Sequence, residues 1–210
     1  MSYKTVNWYF DFVSPFAYLQ CSRLDGFALY ALVRCKPVLF AAILNHVGQK
    51  GPAEIPSKRS WTFEHVAWLA RQCNTPLKLP REHPFNPLPL LRLALVLGPS
   101  VDVVQRLFAY VWRDGHLPGD AQAWQALLDE LGVQLGELDA PEIKQALRDS
   151  TAEAIGAGVF GVPTAVVDGH VIWGFDATDM VHAKIADDPF FESAELAAAH
   201  ELPVGVQREA

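Results

Sequence analysis

The pattern of hydrophobic residues differs between the ends of this chain and its middle. Near the start, apolar runs over residues 7–12 and 32–40 predict two strands, and the segment from Ser14 to about Tyr30 predicts a helix between them. These three elements form a βαβ unit. Pro37 lies inside the second run and favours an edge strand or a bulge, because proline has no N–H for a sheet ladder.

The middle of the chain changes to helical spacing. The glycines and prolines of residues 45–60 predict a loop that could border a site. Four helix signals follow it: apolar stripes from Phe63 and from Val103, a segment from Asp120 that stops at Gly132, and a capping box at Asp139-x-x-Glu142 with Pro141 in the first turn.

The last third returns to strands and completes the predicted architecture. Residues 164–167 and 171–173 predict two strands joined across Asp168-Gly169-His170, and a helix opens near Asp176, which gives a ββα unit. We therefore predict an α/β fold whose two halves lie at the chain ends and enclose a large all-helical insertion. The predicted division is 1–45 and 151–210 for the two halves, and 46–150 for the insertion.

Composition narrows the classes of function. The 210 residues are 50% hydrophobic and carry a formal charge of −7, so the chain can bury a sizeable core. Its 17 basic residues are scattered, which argues against nucleic-acid binding because such surfaces need clustered Lys and Arg. No run of about 18 apolar residues occurs, and the first residues lack the pattern of a signal peptide. We expect a soluble, cytoplasmic protein with no nucleic-acid or membrane partner.

Cysteine and histidine spacing gives no metal or disulfide signal. Cys21, Cys35 and Cys73 are odd in number and form no CxxC pair, which favours buried structural thiols. The seven histidines form no HxxxH or HExxH arrangement. We expect no metal.

Ser14 is the first candidate for chemistry. Ser14-Pro15 is typical of a helix start, with serine as the N-cap and proline at the first helical position, so Ser14 would lie where backbone N–H groups and the helix dipole favour an anion such as a thiolate. No neighbouring residue type supplies a base, which favours a hydroxyl that donates a hydrogen bond over a nucleophile. A plain N-cap serine is the alternative. Later in the chain, Val162-Pro163 precedes a strand, so this proline begins the strand or lies at an edge.

Three strings carry a resemblance to a known family. Residues 10–18 (FDFVSPFAY), 161–169 (GVPTAVVDG) and 173–176 (WGFD) resemble 2-hydroxychromene-2-carboxylate isomerase and the kappa-class glutathione transferases, within the DsbA-like group of the thioredoxin fold. The resemblance implies a thioredoxin-like fold with a cis peptide before Pro163. It also implies that Ser14 takes the place of a redox cysteine and holds the thiolate of bound glutathione.

The same resemblance assigns the remaining cofactor contacts. The backbone of Val162, beside Pro163, would pair with glutathione as with an extended peptide, and Phe175 and Asp176 would add contacts at the final helix, where Asp176 could equally be an N-cap. Gln49 stands where relatives have the asparagine of a Gly-Asn-x-Pro-Pro loop. The implied activity is a glutathione-dependent isomerase that adds and eliminates the thiolate on a small aromatic electrophile, and we expect a homodimer.

Two features leave the substrate open. Relatives use a lysine for the substrate carboxylate, but residues 41–46 (AAILNH) contain none. Other anion-binding candidates, which could equally be solvated charges, are Lys50, Lys58, Arg59 and Arg92. Aromatic residues that could line a pocket, or pack in the core, are Trp61, Phe63, Trp68, Phe85, Trp112 and Trp124.

Three alternative functions remain at this stage. A kappa-class-like transferase would consume glutathione. A DsbA-like oxidoreductase is disfavoured because residues 14–17 (SPFA) lack both cysteines of a CxxC motif. A non-catalytic module could use the same groove to bind peptides.

Overall fold

The computed structural model describes residues 3–206 and is built on one mixed sheet. Its four strands are β1 (Lys4–Phe10), β2 (Ala31–Pro37), β3 (Thr164–Val167) and β4 (His170–Trp173). They lie in the order β2-β1-β3-β4, so the two ends of the chain meet at the centre of the sheet. The β1–β2 pair is parallel, and the β1–β3 and β3–β4 pairs are antiparallel. The predicted thioredoxin-like fold is confirmed.

Details of the strands follow from local chemistry. β2 is an edge strand and ends at Pro37, as expected of a residue that cannot donate to a ladder. β3 and β4 are joined by Asp168 and Gly169, both with positive φ, which is the two-residue turn that suits the twist of a hairpin.

The described residues form ten α-helices. They are α1 (Pro15–Cys21), α2 (Leu24–Ala28), α3 (Phe40–Val47), α4 (Pro56–Gln72), α5 (Leu88–Leu97), α6 (Val101–Phe108), α7 (Ala121–Leu131), α8 (Pro141–Gly156), α9 (Thr178–Ile185) and α10 (Ala194–His200). A π-helical turn (Ala109–Arg113) extends α6. None of the helices in residues 3–206 is long and apolar enough to cross a membrane.

The long first helix predicted from the sequence is interrupted. The hydroxyl of Ser22 donates to the carbonyl of Leu19 at 2.7 Å, which is the acceptor that the N–H of Arg23 would use in a continuing helix. The Arg23 N–H pairs with the carbonyl of Gln20 instead. α1 therefore ends at Cys21, and the single helix to Tyr30 was a wrong prediction.

Two further predictions were wrong in the connection regions. The second strand was extended to Phe40, but residues 40–47 form α3, whose apolar positions Phe40, Ile43, Leu44 and Val47 have helical spacing. The capping box at Asp139 is absent, because Ala140 is the N-cap of α8 and its side chain forms no cap bond. Gly132 does end α7, in the left-handed conformation.

The sheet carries two apolar faces. One is dominated by aromatic side chains, with Trp8 and Phe10 stacked at 4.8 Å and Phe108 of α6 packed against both. The other face contains Tyr9 and Ile43 in a smaller cluster. The domain boundaries predicted at residues 45 and 150 fall inside α3 and α8, and the division into domains remains a prediction.

Candidate active site

Ser14 begins α1 as its N-cap. Its backbone is extended (φ −88°, ψ 114°), and its Oγ accepts a hydrogen bond from the N–H of Ala17 at 3.2 Å. Pro15 occupies the first helical position, which has no use for an N–H. The helix start predicted from the sequence is confirmed, and Ser14 is 6% exposed.

The Ser14 hydroxyl contacts the backbone of Val162, which lies 148 residues later in the sequence. The Oγ lies 3.4 Å from the carbonyl oxygen of Val162, to which it donates. This separation is long for an O–H···O bond, so the proton is held weakly and can turn toward a better acceptor. The peptide bond between Val162 and Pro163 is cis, as expected. Among the described residues, no group accepts a hydrogen bond from the Val162 N–H.

The turn that carries Val162 is fixed by its neighbours. Thr164, which is completely buried, donates from its hydroxyl to the carbonyl of Gly161 at 2.7 Å. The carbonyl of Pro163 accepts from the N–H of Gly174 at 2.9 Å, which connects this turn to the loop after β4. The position of the Val162 backbone is therefore determined on both sides.

Two glycines allow close approach beside the turn. A Cβ on Gly161 would lie 2.5 Å from the Nε1 of Trp173, so only glycine admits the indole ring there. Gly174 has φ +102°, and a Cβ would lie 2.5 Å from the carboxylate of Asp176. Trp173 packs edge-on against Phe160, and both rings are largely exposed next to Val162.

The backbone N–H and C=O of Val13, the residue before Ser14, are held by the side chains of Asp11 and His83. The N–H of Val13 donates to the carboxylate of Asp11 at 3.0 Å, and its carbonyl pairs with Nε2 of His83 at 2.7 Å. Because a carbonyl can only accept, Nε2 carries the proton of His83. The other oxygen of Asp11 accepts from the N–H of Phe40 at 2.9 Å, where α3 begins.

Both of these side chains titrate abnormally. Burial raises the pKa of Asp11 to about 7, against the two backbone N–H groups that lower it. Burial also lowers the pKa of His83, against its bond to Val13, which raises it. Burial therefore favours the neutral form of both side chains next to Ser14.

A buried amide connects the back of α1 to the opposite loop. Gln20 donates from Nε2 to the carbonyl of Gly174 at 2.9 Å and to the hydroxyl of Thr178 at 3.1 Å. Its Oε1 accepts from the indole N–H of Trp8 at 2.7 Å. All the hydrogen-bonding groups named here are buried, so Gln20 sets the separation between α1 and the loop that holds Asp176.

Asp11, Gln20 and His83 were missed in the sequence. Asp11 and Gln20 are polar residues within apolar or aromatic segments, which is a weak local signal, whereas His83 follows two charged residues and has no such signal. Their partners lie up to 158 residues away, so the contacts became evident only in the fold.

The other predicted contacts are not all brought to Ser14. Asp176 is exposed and is not an N-cap, because α9 begins at Thr178 with Ala177 as its cap. Phe175 is half-buried beside it. Gln49 is exposed at the end of α3, and within the described residues no hydrogen bond joins it to Ser14 or Val162. The glutathione contacts assigned to these residues remain predictions.

The candidate cations and aromatics separate into structural and exposed groups. Arg59 donates to the carbonyl of His83, and Arg92 pairs with Asp139 at 2.9 Å. Lys50 and Lys58 are exposed. Three of the aromatics, Phe85, Trp112 and Trp124, are core residues.

On α4, Phe63 packs edge-on against His83, whereas Trp61 and Trp68 form a surface next to α1. Trp61 and Trp68 are 64% and 57% exposed, and each stacks on His65, with centroid distances of 5.6 and 6.3 Å. Phe16, two residues after Ser14, lies 6.0 Å from the same ring. We refer to Phe16, Trp61, His65 and Trp68 as the aromatic surface.

The cysteines do not form a redox pair. Cys21 and Cys35 are buried and Cys73 is half-buried, and all three are free thiols. Burial raises the pKa of Cys21 well above its usual range, so it stays a thiol in the core. Among residues 3–206, no three His, Cys, Asp or Glu side chains are grouped so that they could hold a metal ion.

Comparisons with known proteins point to the same group of folds. The model of a DSBA-like thioredoxin domain matches residues 5–186. Glutathione S-transferase kappa 2 of Caenorhabditis elegans is 28% identical over 223 aligned residues, covering 89% of this chain and 93% of that protein. A 2-hydroxychromene-2-carboxylate isomerase of Sphingobium xenophagum is 24% identical over 194, covering 88% and 99%.

A solved structure extends this similarity to three dimensions. A 2-hydroxychromene-2-carboxylate isomerase superposes with a TM-score of 0.78 at 25% identity, covering 91% of this chain and 98% of that one. The resemblance carried by three short strings therefore holds over nearly the whole chain.

Proposed function

Because this chain belongs to the family of DSBA-like thioredoxin domains, we propose that it is a glutathione-dependent isomerase of the 2-hydroxychromene-2-carboxylate isomerase type. Its substrate would be a small aromatic electrophile. The observation that carries the proposal is the Ser14 hydroxyl, held 3.4 Å from the carbonyl of Val162 with a weakly bound proton. Relatives named as kappa-class transferases and chromene-carboxylate isomerases support glutathione as the cofactor.

The residues present fit a peptide thiol. Ser14 has one O–H donor for a sulfur anion, because its 3.4 Å contact with the Val162 carbonyl is too long to hold the proton firmly. The Val162 N–H, which has no acceptor in the described part of the chain, suits a peptide carbonyl, and the exposed Asp176 carboxylate suits a charged amino group. Glutathione would supply a thiolate that adds to the electrophile and is later eliminated.

The protein's own contribution is to favour the ionised sulfur. A hydroxyl hydrogen bond to a charged group contributes about 1.5–3 kcal/mol, which is about one to two units of thiol pKa. α1 has only seven residues, so Ser14 contributes more than the helix dipole. No base lies within hydrogen-bond distance of Ser14 among the described residues, so the hydroxyl acts as a donor.

The aromatic surface supports an aromatic substrate. It continues from the residue after Pro15 onto the outer face of α4, and it leaves large aromatic rings in contact with solvent next to the proposed sulfur position. Flat apolar molecules stack on such rings at centroid distances of about 4.5–7 Å.

The test is the thiol pKa of enzyme-bound glutathione, followed by thiolate ultraviolet absorbance. We expect Ser14→Ala to raise that pKa by about one to two units and to lower turnover at neutral pH. The matched control is Ser100→Ala, which removes an N-cap serine from α6 with the same hydrogen-bond geometry (Ser100 Oγ to Val103 N, 3.3 Å) and should change neither quantity. An unchanged thiol pKa in Ser14→Ala would remove Ser14 from the proposed role.

The transferase alternative keeps the same site and differs in the fate of glutathione. Free glutathione measured during turnover stays constant for an isomerase and falls with product for a transferase. Absence of calorimetric glutathione binding would favour the non-catalytic module. The cytoplasmic location, the homodimer and the division at residues 45 and 150 are part of the same proposal.

A further inference from the structure

A second cavity lies away from Ser14, where three helices of the chain meet. It has a volume of about 360 Å³, within the usual range of small-molecule sites, and it opens between α3, α5 and α8. None of its lining residues belongs to the Ser14–Val162 site. We call it the cationic pocket, lined by Ala42, Leu88, Arg92, Lys144, Leu147 and Arg148 with neighbouring apolar residues.

The charge of this pocket is opposite to that of the chain. The whole protein carries −7, yet Arg92, Lys144 and Arg148 contribute three positive charges to one cavity. Asp139 pairs with Arg92 at 2.9 Å and with Lys144 at 3.0 Å, and it is largely exposed. One carboxylate therefore neutralises one of three charges, and the pocket keeps a net positive charge.

One donor at this site is left without a partner. In the described residues, the buried Nε–H of Arg92 makes no hydrogen bond, although an Nη of the same guanidinium reaches Asp139. A buried donor without an acceptor is costly, and a carboxylate is the acceptor that a guanidinium binds best.

The remaining lining is apolar. Leu88 of α5, Leu147 of α8 and Ala42 of α3 form an apolar wall next to the cations, together with Leu39 and Ile155. Thr151, the polar residue in this wall, already donates to the Leu147 carbonyl and accepts from the Leu39 N–H. Arg148 already donates from Nε and one Nη to Oε1 of Gln145. The polar groups that remain for a ligand are the other N–H groups of the cations, at one side of an apolar cavity.

We infer that the cationic pocket binds an organic monocarboxylate, with its carboxylate on Arg92 and Arg148 and its apolar body against Leu88 and Leu147. This inference is independent of the proposed function, because the pocket shares no residue with the Ser14 site. An inorganic anion would leave the apolar wall unused, and a neutral aromatic molecule would leave the net positive charge of the pocket without a counter-ion.

The test uses 1-naphthoate as the probe and the neutral 1-naphthamide as its matched comparison, with binding measured by titration calorimetry on the full chain. We expect 1-naphthoate to bind at least about tenfold more tightly than the amide, because a hydrogen bond to a charged group is worth more than one to a neutral group. Backbone amide chemical-shift changes should be centred on Leu88 and Leu147.

Each variant inside the pocket is compared with a similar variant outside it, so that loss of ligand binding can be assigned to the pocket. Ala42→Phe fills the cavity without changing a charge and should abolish binding, whereas Ala41→Phe, its exposed neighbour on α3, should not. Arg148→Gln should weaken binding severalfold, whereas Arg71→Gln on the exposed side of α4 should leave it unchanged. Arg148 and Ala42 both line the cavity and are not buried, so these variants are expected to fold.

Three results would contradict binding of the monocarboxylate in the cationic pocket. Equal binding of acid and amide, or unchanged binding in Ala42→Phe, would overturn the inference and leave Arg92, Asp139 and Lys144 as an ion-pair network between helices. Shifts centred on Phe16 and Trp61 would place the probe on the aromatic surface instead and would also overturn it. Ser14→Ala should not alter the affinity for 1-naphthoate.

Discussion

The Ser14 site and the cationic pocket offer different kinds of hydrogen-bond donor to an anion. At Ser14 the donors are a hydroxyl and backbone N–H groups. The nearby titratable side chains, the buried Asp11 and the half-buried His83, form hydrogen bonds with the backbone of Val13. In the cationic pocket the donors are Arg92, Lys144 and Arg148, beside an apolar wall. One site relies on fixed neutral dipoles and the other on full charges.

Because the donors differ, removing them should affect the stability of the fold differently at the two sites. The groups around Ser14 are also hydrogen-bond partners of the core, so their removal should affect stability and activity together. The cations of the second pocket are partly exposed, so their removal should affect binding with little cost in stability. The predictions below test this contrast.

The largest predicted effect is the pH dependence that the Asp11 carboxyl gives to the free energy of unfolding. Its pKa is raised in the folded state, so the unfolded chain ionises first as pH rises from about 4, and the folded state loses relative stability until pH reaches about 7. A shift of about three units corresponds to roughly 4 kcal/mol. We expect urea unfolding at a series of pH values to give this slope for the wild type and not for Asp11→Asn.

The comparison with Asp11→Asn isolates this carboxyl from other titrating groups. His83, whose pKa is lowered, contributes the opposite slope, because its stabilisation is gained as pH rises toward its unfolded value. The pKa values of Glu153 and Asp114 are also lowered, so their contributions are lost only at lower pH. Parallel curves for the wild type and Asp11→Asn would contradict a raised pKa at Asp11.

Gln20→Leu should give the next largest effect. The change leaves the Trp8 indole N–H and the Gly174 carbonyl without partners in the core, which costs about 3 kcal/mol, since each unpaired buried group costs about 1–3 kcal/mol. The loop that holds Asp176 would also lose its connection to α1. We expect the KM for glutathione to rise more than kcat falls.

An exposed glutamine supplies the control for this substitution. Gln125 bonds Asp129 on the surface of α7, so Gln125→Leu should change unfolding by less than about 0.5 kcal/mol. If Gln20→Leu lost stability with an unaltered KM, Gln20 would be a packing residue with no role in positioning the loop.

Local sequence signals were sufficient to predict Ser14 and Val162-Pro163. They were insufficient to predict the buried side chains that hold these residues in place. Ser14-Pro15 is a local capping signal and Val162-Pro163 a local strand start, and both were found in the predicted places. The polar contacts of Asp11 and Gln20 depend on distant partners, which a one-dimensional pattern does not contain. The capping box at Asp139 failed because α8 begins one residue later than the box requires, with Ala140 as its N-cap.

The predicted ends of helices and strands were wrong where two local sequence patterns overlapped. Residues 38–40 continue the apolar run of β2, and the helical spacing from Phe40 to Val47 begins inside that run, so the run was assigned to the strand. The break after Cys21 depends on a single hydroxyl bond from Ser22, and serine is common in helices as well as at their ends.

The smallest predicted effect is that of salt on ligand binding, and it compares the two sites most directly. Raising ionic strength from about 0.1 M to 1 M shortens the Debye length from about 10 Å to 3 Å, so attraction to exposed charges is screened. We expect the affinity of the cationic pocket for 1-naphthoate to fall severalfold, because Arg148 and Lys144 are partly exposed. The thiol pKa of glutathione bound at Ser14 should change little, since its donors are neutral groups at hydrogen-bond distance. Titration of both ligands over the same salt series measures this, and an equal response at the two sites would mean that long-range charge, and not the Ser14 hydroxyl, stabilises the thiolate.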